Sequence, residues 1–564
     1  MHLASLQVED FRGMTDLLLP LDPTTVLVGE NRVGKTTLVD AVDYCLRPSR
    51  ATEACPFVVE DFRRDRREPP PIRLTLEVRE DRPGEWDAPL FARLAALAVH
   101  GEAGVLRQLR LRLTGWLAED GPRSEWCFLD RKDAPHAGAW DVGDVVLLRR
   151  LLPCLVLGRD RWDLRPEPAP GQAPGPGGIG PGAGPPDPRQ QVAGIYRRAS
   201  QTRGRLSRTE VLSGLEAARA LEAREPEVRP EPPRDLREMI ETPRDLTPLP
   251  SAPGEEASLS AQNLALLLLV GALLEARGDW AIPPEAAPIV MIEEPEAHLH
   301  PILAASLWGT LERLRAQKLI TTHSAELLAA APLSAVRRLT RRDELTRLHR
   351  IGRHALSLDD LRRVGYHVRI QRGASLFARC WLLVEGETES WLLPELARMC
   401  GYVLASEGVA CIEFAQCGVR PVVKLAAALG IEWHLLADGD YAGERYVEAA
   451  LSHLDGHDPA ERVTRLDARD VEHCFWRHGY ERVFLQGAFK QRKRGRRREG
   501  RDHPDRVIHR ALRKHSKPFM ALRVIEAAAA PGSPGVPPPL ARAIHAAVWL
   551  ARRSAGVPCE RPRL

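Results

Sequence analysis

The chain has 564 residues, with 80 basic and 76 acidic side chains and a formal net charge of +4. That length allows about three domains of ordinary size, and 44% hydrophobic with 28% charged residues excludes wholesale disorder. Near-neutrality excludes a globally basic surface, so any nucleic-acid contact must be local. The ten cysteines include no CxxC pair, which argues against a zinc ribbon and gives no disulfide framework.

In chain order, the first forty residues read as strand, turn, strand, loop, helix. LASLQVEDF alternates apolar and polar residues, as a half-buried strand does, and Thr25 to Val28 is a short β-branched run ending in a glycine loop. A helical pattern follows from Lys35, and IRLTLEV at 72–78 alternates again. A Pro/Gly-rich stretch around 163–190 and a Pro/Glu/Arg-rich tract at 224–254 cannot bury enough apolar surface to offset ordering entropy; they read as an insertion and a linker. A helix is expected at 208–223 and another from Ser258 to about Arg277. The latter contains the most apolar run, Leu264 to Leu274; at 11 residues it is too short to span a membrane, which takes about 20. No signal peptide is visible, and a cytoplasmic protein with no membrane partner is expected.

Beyond the linker, PIVMI at 288–292 and KLITT at 318–322 read as strands. CWLLVEG is a strand entering a loop, TESWLLPELARMCG a helix, and IEWHLLADGD a strand ending in acids. The run KQRKRGRRREGR at 490–501 is either a solvated loop or a sequence-blind phosphate contact. The tail from 530 reads as a Pro/Gly linker and a short helix, ARAIHAAVWLARR.

Two constellations carry chemistry. GENRVGKT at 29–36 fits the pattern G-x-x-x-x-G-K-[ST] between a strand and a helix. Gly29, Asn31 and Gly34 would bring the backbone close to phosphate oxygens. Lys35 would reach the β- and γ-phosphates of ATP, Thr36 would hold Mg²⁺, and Thr37 beside it would join the nucleotide-binding set. The chain has only 8 lysines against 72 arginines, so a lysine here stands out. In PIVMIEEPEAHLHP, Glu293 takes the Mg²⁺ side and Glu294 the water-polarising position. His323 in TTHS would contact the γ-phosphate, while His298 and His300 read as structural or dimer contacts.

The wide spacing between phosphate loop and acids resembles the ABC-type ATPases of the SMC, Rad-fifty and RecF kind. By that resemblance SLSAQ at 258–262 is the signature segment, with Ser260 and Gln262 as contacts, although its glycines are missing.

The second constellation is VEGETE at 384–389 and LADGD at 436–440. Glu385 follows a strand, and Glu389 lies one turn into the next helix, free to point back. Asp438 and Asp440 stand two apart at a strand end. Oxygen ligands without His or Cys suit Mg²⁺ or Mn²⁺, and four or five acids can hold two ions for attack on a phosphodiester. Either acidic turn alone would read as solvated surface.

Strand–Glu–Gly–helix followed by strand–Asp-x-Asp resembles the Toprim domain. A phosphate-loop ATPase followed by Toprim resembles the overcoming-lysogenization-defect (OLD) nucleases, relatives of the Gabija nuclease. The segments SLFARCWLLVEGETE, IEFAQCG, IEWHLLADGDYAG and HSKP resemble their YbjD-like branch (DUF2813). The resemblance covers the first 50 residues and most of 288–525, and not the Pro/Gly insertion.

It implies an α/β fold with an ABC/SMC-like P-loop ATPase domain at 1–345. A Toprim domain at 375–480 and a helical C-terminal extension at 481–564 complete the expected nuclease. Glu385, Glu389, Asp438 and Asp440 carry over as metal ligands. Glu472 in DVEHCF matches the later metal-binding acid, and Lys517 in HSKP the basic residue near the scissile phosphate. The implied partners are DNA, a homodimer or higher oligomer, and a helicase; the implied setting is phage defence or DNA repair. The competing expectation is a RecF/SMC-like DNA-binding ATPase clamp with a non-catalytic Toprim domain.

Overall fold

The computed structural model describes residues 1–46, 55–63, 69–100, 106–157, 162–163, 285–297, 307–312, 314–342, 345–352, 354–366, 373–454, 456–489 and 503–561. The tracts read as insertion and linker, the helices expected at 208–223 and 258–277, the segment SLSAQ, His298, His300 and the basic run lie outside the described residues. The chain divides into two compact units, Met1–Leu348 and His349–Leu564.

In the first unit the elements are β1 (His2–Phe11), β2 (Met14–Pro20), β3 (Thr24–Gly29), α1 (Lys35–Leu46), β4 (Ile72–Arg79), α2 (Ala92–Leu97) and β5 (Val99–His100). They continue with β6 (Arg107–Ala118), β7 (Gly121–Leu129), α3 (Val142–Leu151), β8 (Cys154–Leu157), β9 (Trp162–Asp163) and β10 (Ile289–Glu293). The last are β11 (Gln317–Thr321), α4 (Ala325–Ala330), β12 (Val336–Arg342) and β13 (Leu345–Arg350). One sheet runs β2-β1-β4-β6-β5, with β7 paired to β6, and its pairings are all antiparallel.

Strict alternation along β1 would bury Leu6, Val8 and Ala4, yet Leu3 is the buried residue. A register shift between Leu3 and Ser5 against β4 resets the face. Sequence periodicity found β1 and β4. It passed over β2 and the β6–β7 hairpin, whose strands interleave arginines and a glycine with the apolar positions.

The second sheet runs β13-β12-β3-β11-β10-β8-β9. Strands β12, β3, β11, β10 and β8 run parallel to one another, and β9 pairs antiparallel with β8. Leu27 pairs with Thr321 and Thr321 with Glu293, so β3, β11 and β10 end at one edge. Sequence positions nearly 300 residues apart are thereby adjacent. A buried core including Leu38, Val42, Leu74, Leu111, Leu148 and Met291 joins residues of the two sheets and α1. Within it, Arg12 bonds Asp61, Asp40 and Tyr44, so the ionic groups are paired rather than left bare.

The second unit contains α5 (Leu358–Val364), β14 (Cys380–Val384), α6 (Glu387–Met399), β15 (Val409–Glu413), α7 (Val419–Ala428), β16 (Glu432–Ala437) and α8 (Tyr441–Leu451). It continues with α9 (Pro459–Arg462), β17 (Val463–Arg465), α10 (Val471–Phe475), α11 (Glu481–Ala488), α12 (Pro504–Lys514), α13 (Lys517–Ala529) and α14 (Pro538–Ser554). Its sheet, β15-β14-β16-β17, is wholly parallel. Every residue of β14 is buried, as an interior parallel strand requires. From β14 the chain goes first to β15 on one side, then to β16 on the other. The crevice between the ends of β14 and β16 is therefore the place where ligands bind in such sheets.

One expectation needs correcting: α14 is not a short helix on a tail. It runs 17 residues, packs on β14 and β16, and buries Leu540, Ala543, Ile544, Ala547 and Leu550 completely. Its apolar stripe must cover the second face of a parallel sheet, which would otherwise lie in water. Among the described residues, no helix is long and apolar enough to cross a membrane.

Candidate functional site

In the first unit, the loop between β3 and α1 is shaped by its glycines. Gly29 and Gly34 have φ of +153° and +103°. A Cβ on Gly29 would stand 2.6 Å from the carbonyl oxygen of Leu339, so that position tolerates only glycine. The Lys35 ammonium donates to the carbonyls of Gly29 (2.8 Å) and Glu30 (2.9 Å), folding back over its own loop. Burial lowers its pKa to about 8, against the pull of Glu294 and Glu30. Asn31 is exposed on the loop, and in the first turn of α1 Thr36 is exposed and Thr37 half-buried.

Across the edge, Glu293 ends β10 and Glu294 follows it with φ of +46°. Nε2 of His323 lies 3.6 Å from Oε1 of Glu294. The structure thus groups Lys35, Glu294 and His323.

Sequence reading missed Glu296. Its Oε1 accepts from the Thr322 hydroxyl (2.8 Å) and from the backbone N–H groups of His323 (2.7 Å) and Ser324 (3.0 Å). It holds the turn that presents His323. Its one sequence signal is that it is the third acid of EEPE.

In the second unit, Glu385 follows β14 directly. Its Oε2 is buried without a hydrogen-bond partner among the described residues, and burial together with Asp440 and Glu389 raises its pKa. Glu389 is buried in the first turn of α6, where Oε2 accepts from the Gly386 N–H at 3.1 Å. Asp438 follows β16, and burial plus the charges of Glu389, Glu385, Asp470 and Asp440 pushes it up to about 8. Asp440 caps α8 by accepting from the Gly443 N–H at 2.8 Å.

Two glycines let these turns close. A Cβ on Gly443 would lie 2.0 Å from the Asp438 carbonyl oxygen, and one on Gly439 2.3 Å from that of Ala468.

Glu472 sits in α10 and Lys517 begins α13, and Nζ of Lys517 lies 3.2 Å from Oε1 of Glu472. Burial raises Glu472 although Lys517 opposes it. Burial alone would depress Lys517, but Glu472 and Glu389 draw it up instead.

Asp470 was not anticipated. It caps α10, and its charge acts on Asp438, Glu472 and Lys517. Only its spacing of two from Glu472 marks it in the sequence. Six carboxylates and Lys517 therefore share one electrostatic site. Oxygen-only donors, an orphaned buried carboxylate oxygen and an aspartate forced towards its neutral form are what a hard divalent cation would relieve.

Residues 1–375 match the family described as Protein of unknown function (DUF2813). Residues 376–440 match the Overcoming lysogenization defect protein-like, TOPRIM domain. The chain is 34% identical, over 588 residues, to the Uncharacterized protein YbjD of Escherichia coli (strain K12), covering 98% of this chain and 99% of the relative. It is 50% identical over 44 residues to the OLD nuclease of Thermus scotoductus (strain ATCC 700910 / SA-01), a match of 8% of each chain. Among solved structures, an SmcHead bound to the C-winged helix domain of ScpA matches with a TM-score of 0.34 at 13% identity, covering 63% of this chain and 99% of that one. The C-terminal region of the Burkholderia pseudomallei OLD protein matches with a TM-score of 0.26 at 15% identity, covering 32% of this chain and 100% of that one.

Proposed function

The chain belongs to the DUF2813 family and carries an OLD-like Toprim domain, and from that premise we propose that it is an ATP-binding, divalent-metal-dependent DNA endonuclease or nickase. The observation that carries this reading is the convergence of Glu385, Glu389, Asp438, Asp440, Glu472 and Lys517 at the crevice between β14 and β16, with Asp438 pushed up to about 8 by burial and by its charged neighbours.

Glu385, Glu389, Asp438, Asp440 and Glu472 would hold two ions, Mg²⁺ or Mn²⁺. When bound, such ions lower the pKa of a water and neutralise charge on phosphoryl oxygens. Lys517 stands ready to stabilise the phosphate and the leaving 3′ oxygen, and Glu472 holds its ammonium in place. Gly439 and Gly443 let the backbone close tightly beneath the acids, because a Cβ on either would meet a carbonyl oxygen.

In the first unit, the loop of Gly29, Asn31 and Gly34 with Lys35 would wrap the ATP phosphates. Thr36, Thr37 and Glu293 would face the nucleotide's Mg²⁺, Glu294 would polarise water, and His323 would meet the γ-phosphate. ATP binding would regulate access to DNA, with two copies of the chain pairing through their ATPase units. Phage defence or DNA repair is the setting this activity suits.

The test is nicking of supercoiled plasmid by the full chain with Mg²⁺ or Mn²⁺, with and without ATP. Cleavage that is lost in Asp438→Ala supports the reading; cleavage that persists in it places the chemistry elsewhere. ATP-dependent DNA binding with no cleavage under any divalent ion would favour the clamp instead.

A further inference from the structure

Helix α10 carries more than Glu472. Two residues on, Cys474 is fully buried, and its Sγ lies 3.8 Å from Oδ1 of Asp467. One helical turn further, Nε2 of His478 comes within 3.1 Å of Oδ2 of the same aspartate. One ligand atom from each of Asp467, Cys474 and His478 can be chosen so that all lie within 4.8 Å of one another. Zinc bonds of about 2.0–2.3 Å at tetrahedral angles separate ligand atoms by about 3.3–3.7 Å. The 3.8 Å from Sγ to Oδ1 lies close to that range, and the 3.1 Å from His478 Nε2 runs to the other oxygen of the same carboxylate.

The backbone is built to bring His478 back. Residues Trp476–Tyr480 form a π-helical turn, a geometry that recurs at functional sites, broken at His478 and at Gly479 with φ of +96°. That turn is anchored: a Cβ on Gly479 would lie 2.9 Å from Pro534 Cγ, and the Tyr480 hydroxyl donates to the Gly535 carbonyl at 2.6 Å. Arg477 also faces Asp467, with Nε 3.7 Å from Oδ2, which leaves Oδ1 for a ligand beside Cys474.

We propose that Asp467, Cys474 and His478 bind one zinc ion, or a similar borderline transition metal, with water in the fourth position. Cys474 releases its thiol proton to solvent on binding. The donor set differs in kind from the oxygen-only cluster of the same unit. Thiolate and imidazole select zinc, whereas the carboxylates select Mg²⁺ or Mn²⁺. The ion would tie the Asp467 loop to α10 and its cap, the segment that carries Asp470 and Glu472.

The test uses the full chain, stripped with chelator and kept in saturating Mg²⁺ to fill the acid cluster, then titrated with Co²⁺. A thiolate-to-cobalt charge-transfer band saturating at one ion per chain and displaced by Zn²⁺ is expected. It should vanish in Cys474→Ser, and affinity should fall at least about tenfold in His478→Asn. His478 is partly exposed, so that variant keeps the test decisive where Cys474→Ser fails to fold. No band in the unaltered chain, or a band unchanged by the substitutions, overturns the site. The readout is independent of DNA cleavage, so its failure and that of the nuclease reading are told apart.

Discussion

Asp438 is held where ionisation is opposed by burial and by the charges of Glu389, Glu385, Asp470 and Asp440. A folded-state pKa of about 8, above the ordinary 3.8, means the aspartate costs nothing below pH 4 and destabilises progressively as pH rises through 8. Asp438→Asn should therefore raise the melting temperature of chelator-treated protein at pH 8 or above, leave it unchanged near pH 4, and abolish nicking; calorimetry beside a plasmid assay checks both halves.

His434 shows the opposite sign. It is fully buried in β16, with Nδ1 2.9 Å from the Glu461 carbonyl and Nε2 2.9 Å from the Thr464 hydroxyl. Burial lowers its pKa from 6.5 to about 4. The unfolded chain binds the proton more readily, so stability contributed by the neutral imidazole is lost as pH falls from 6.5 towards 4. That loss is on the order of 3 kcal/mol. Urea midpoints across this window should fall less steeply in His434→Gln; an equal slope would assign the acid sensitivity to other groups. Lys35→Ala should abolish ATP hydrolysis, because its ammonium is the cation folded over the phosphate loop; unchanged turnover in a steady-state assay would refute the site.

At the scale of elements, the turn after β16 is set by backbone contact. Gly443→Ala would put a Cβ 2.0 Å from the Asp438 carbonyl oxygen, so α8 or the Asp438 backbone must shift. A displacement near 1 Å costs on the order of 100-fold in rate, which nicking kinetics would register as lost turnover. Helix α14 is the other decisive element. Ile544 is completely buried in the core of the second unit, so Ile544→Ala should cost about 2–5 kcal/mol, read as a lower denaturant midpoint. From sequence, the Pro/Gly segment before α14 suggested a tail. What the sequence reading lacked was the open face of β14 and β16 that the helix covers.

At the scale of the molecule, each unit joins distant segments at the edge of a parallel sheet. The register of β3, β11 and β10 sets Leu27, Thr321 and Glu293 side by side, and β14 and β16 open on Glu385, Asp438 and Asp440. Deleting 490–501 should flatten the salt dependence of DNA affinity if that basic run contacts phosphates, as binding isotherms at several salt concentrations would reveal.

What the sequence by itself determined is local. Strand periods, the glycine loop with Lys35, and acids placed directly after apolar strands all follow from neighbours a few residues apart. Glu472 and Lys517 were reached only through family resemblance, since each alone reads as surface. The tertiary structure decided the rest: the joining of Glu472 to Lys517, the membership of Asp470, the grip of Glu296 on the His323 turn, and the Asp467–Cys474–His478 cluster. These depend on which side chains packing brings within a few ångströms. Burial and mutual charge, which shift a carboxylate from 3.8 to about 8, exist only once the chain has closed around them.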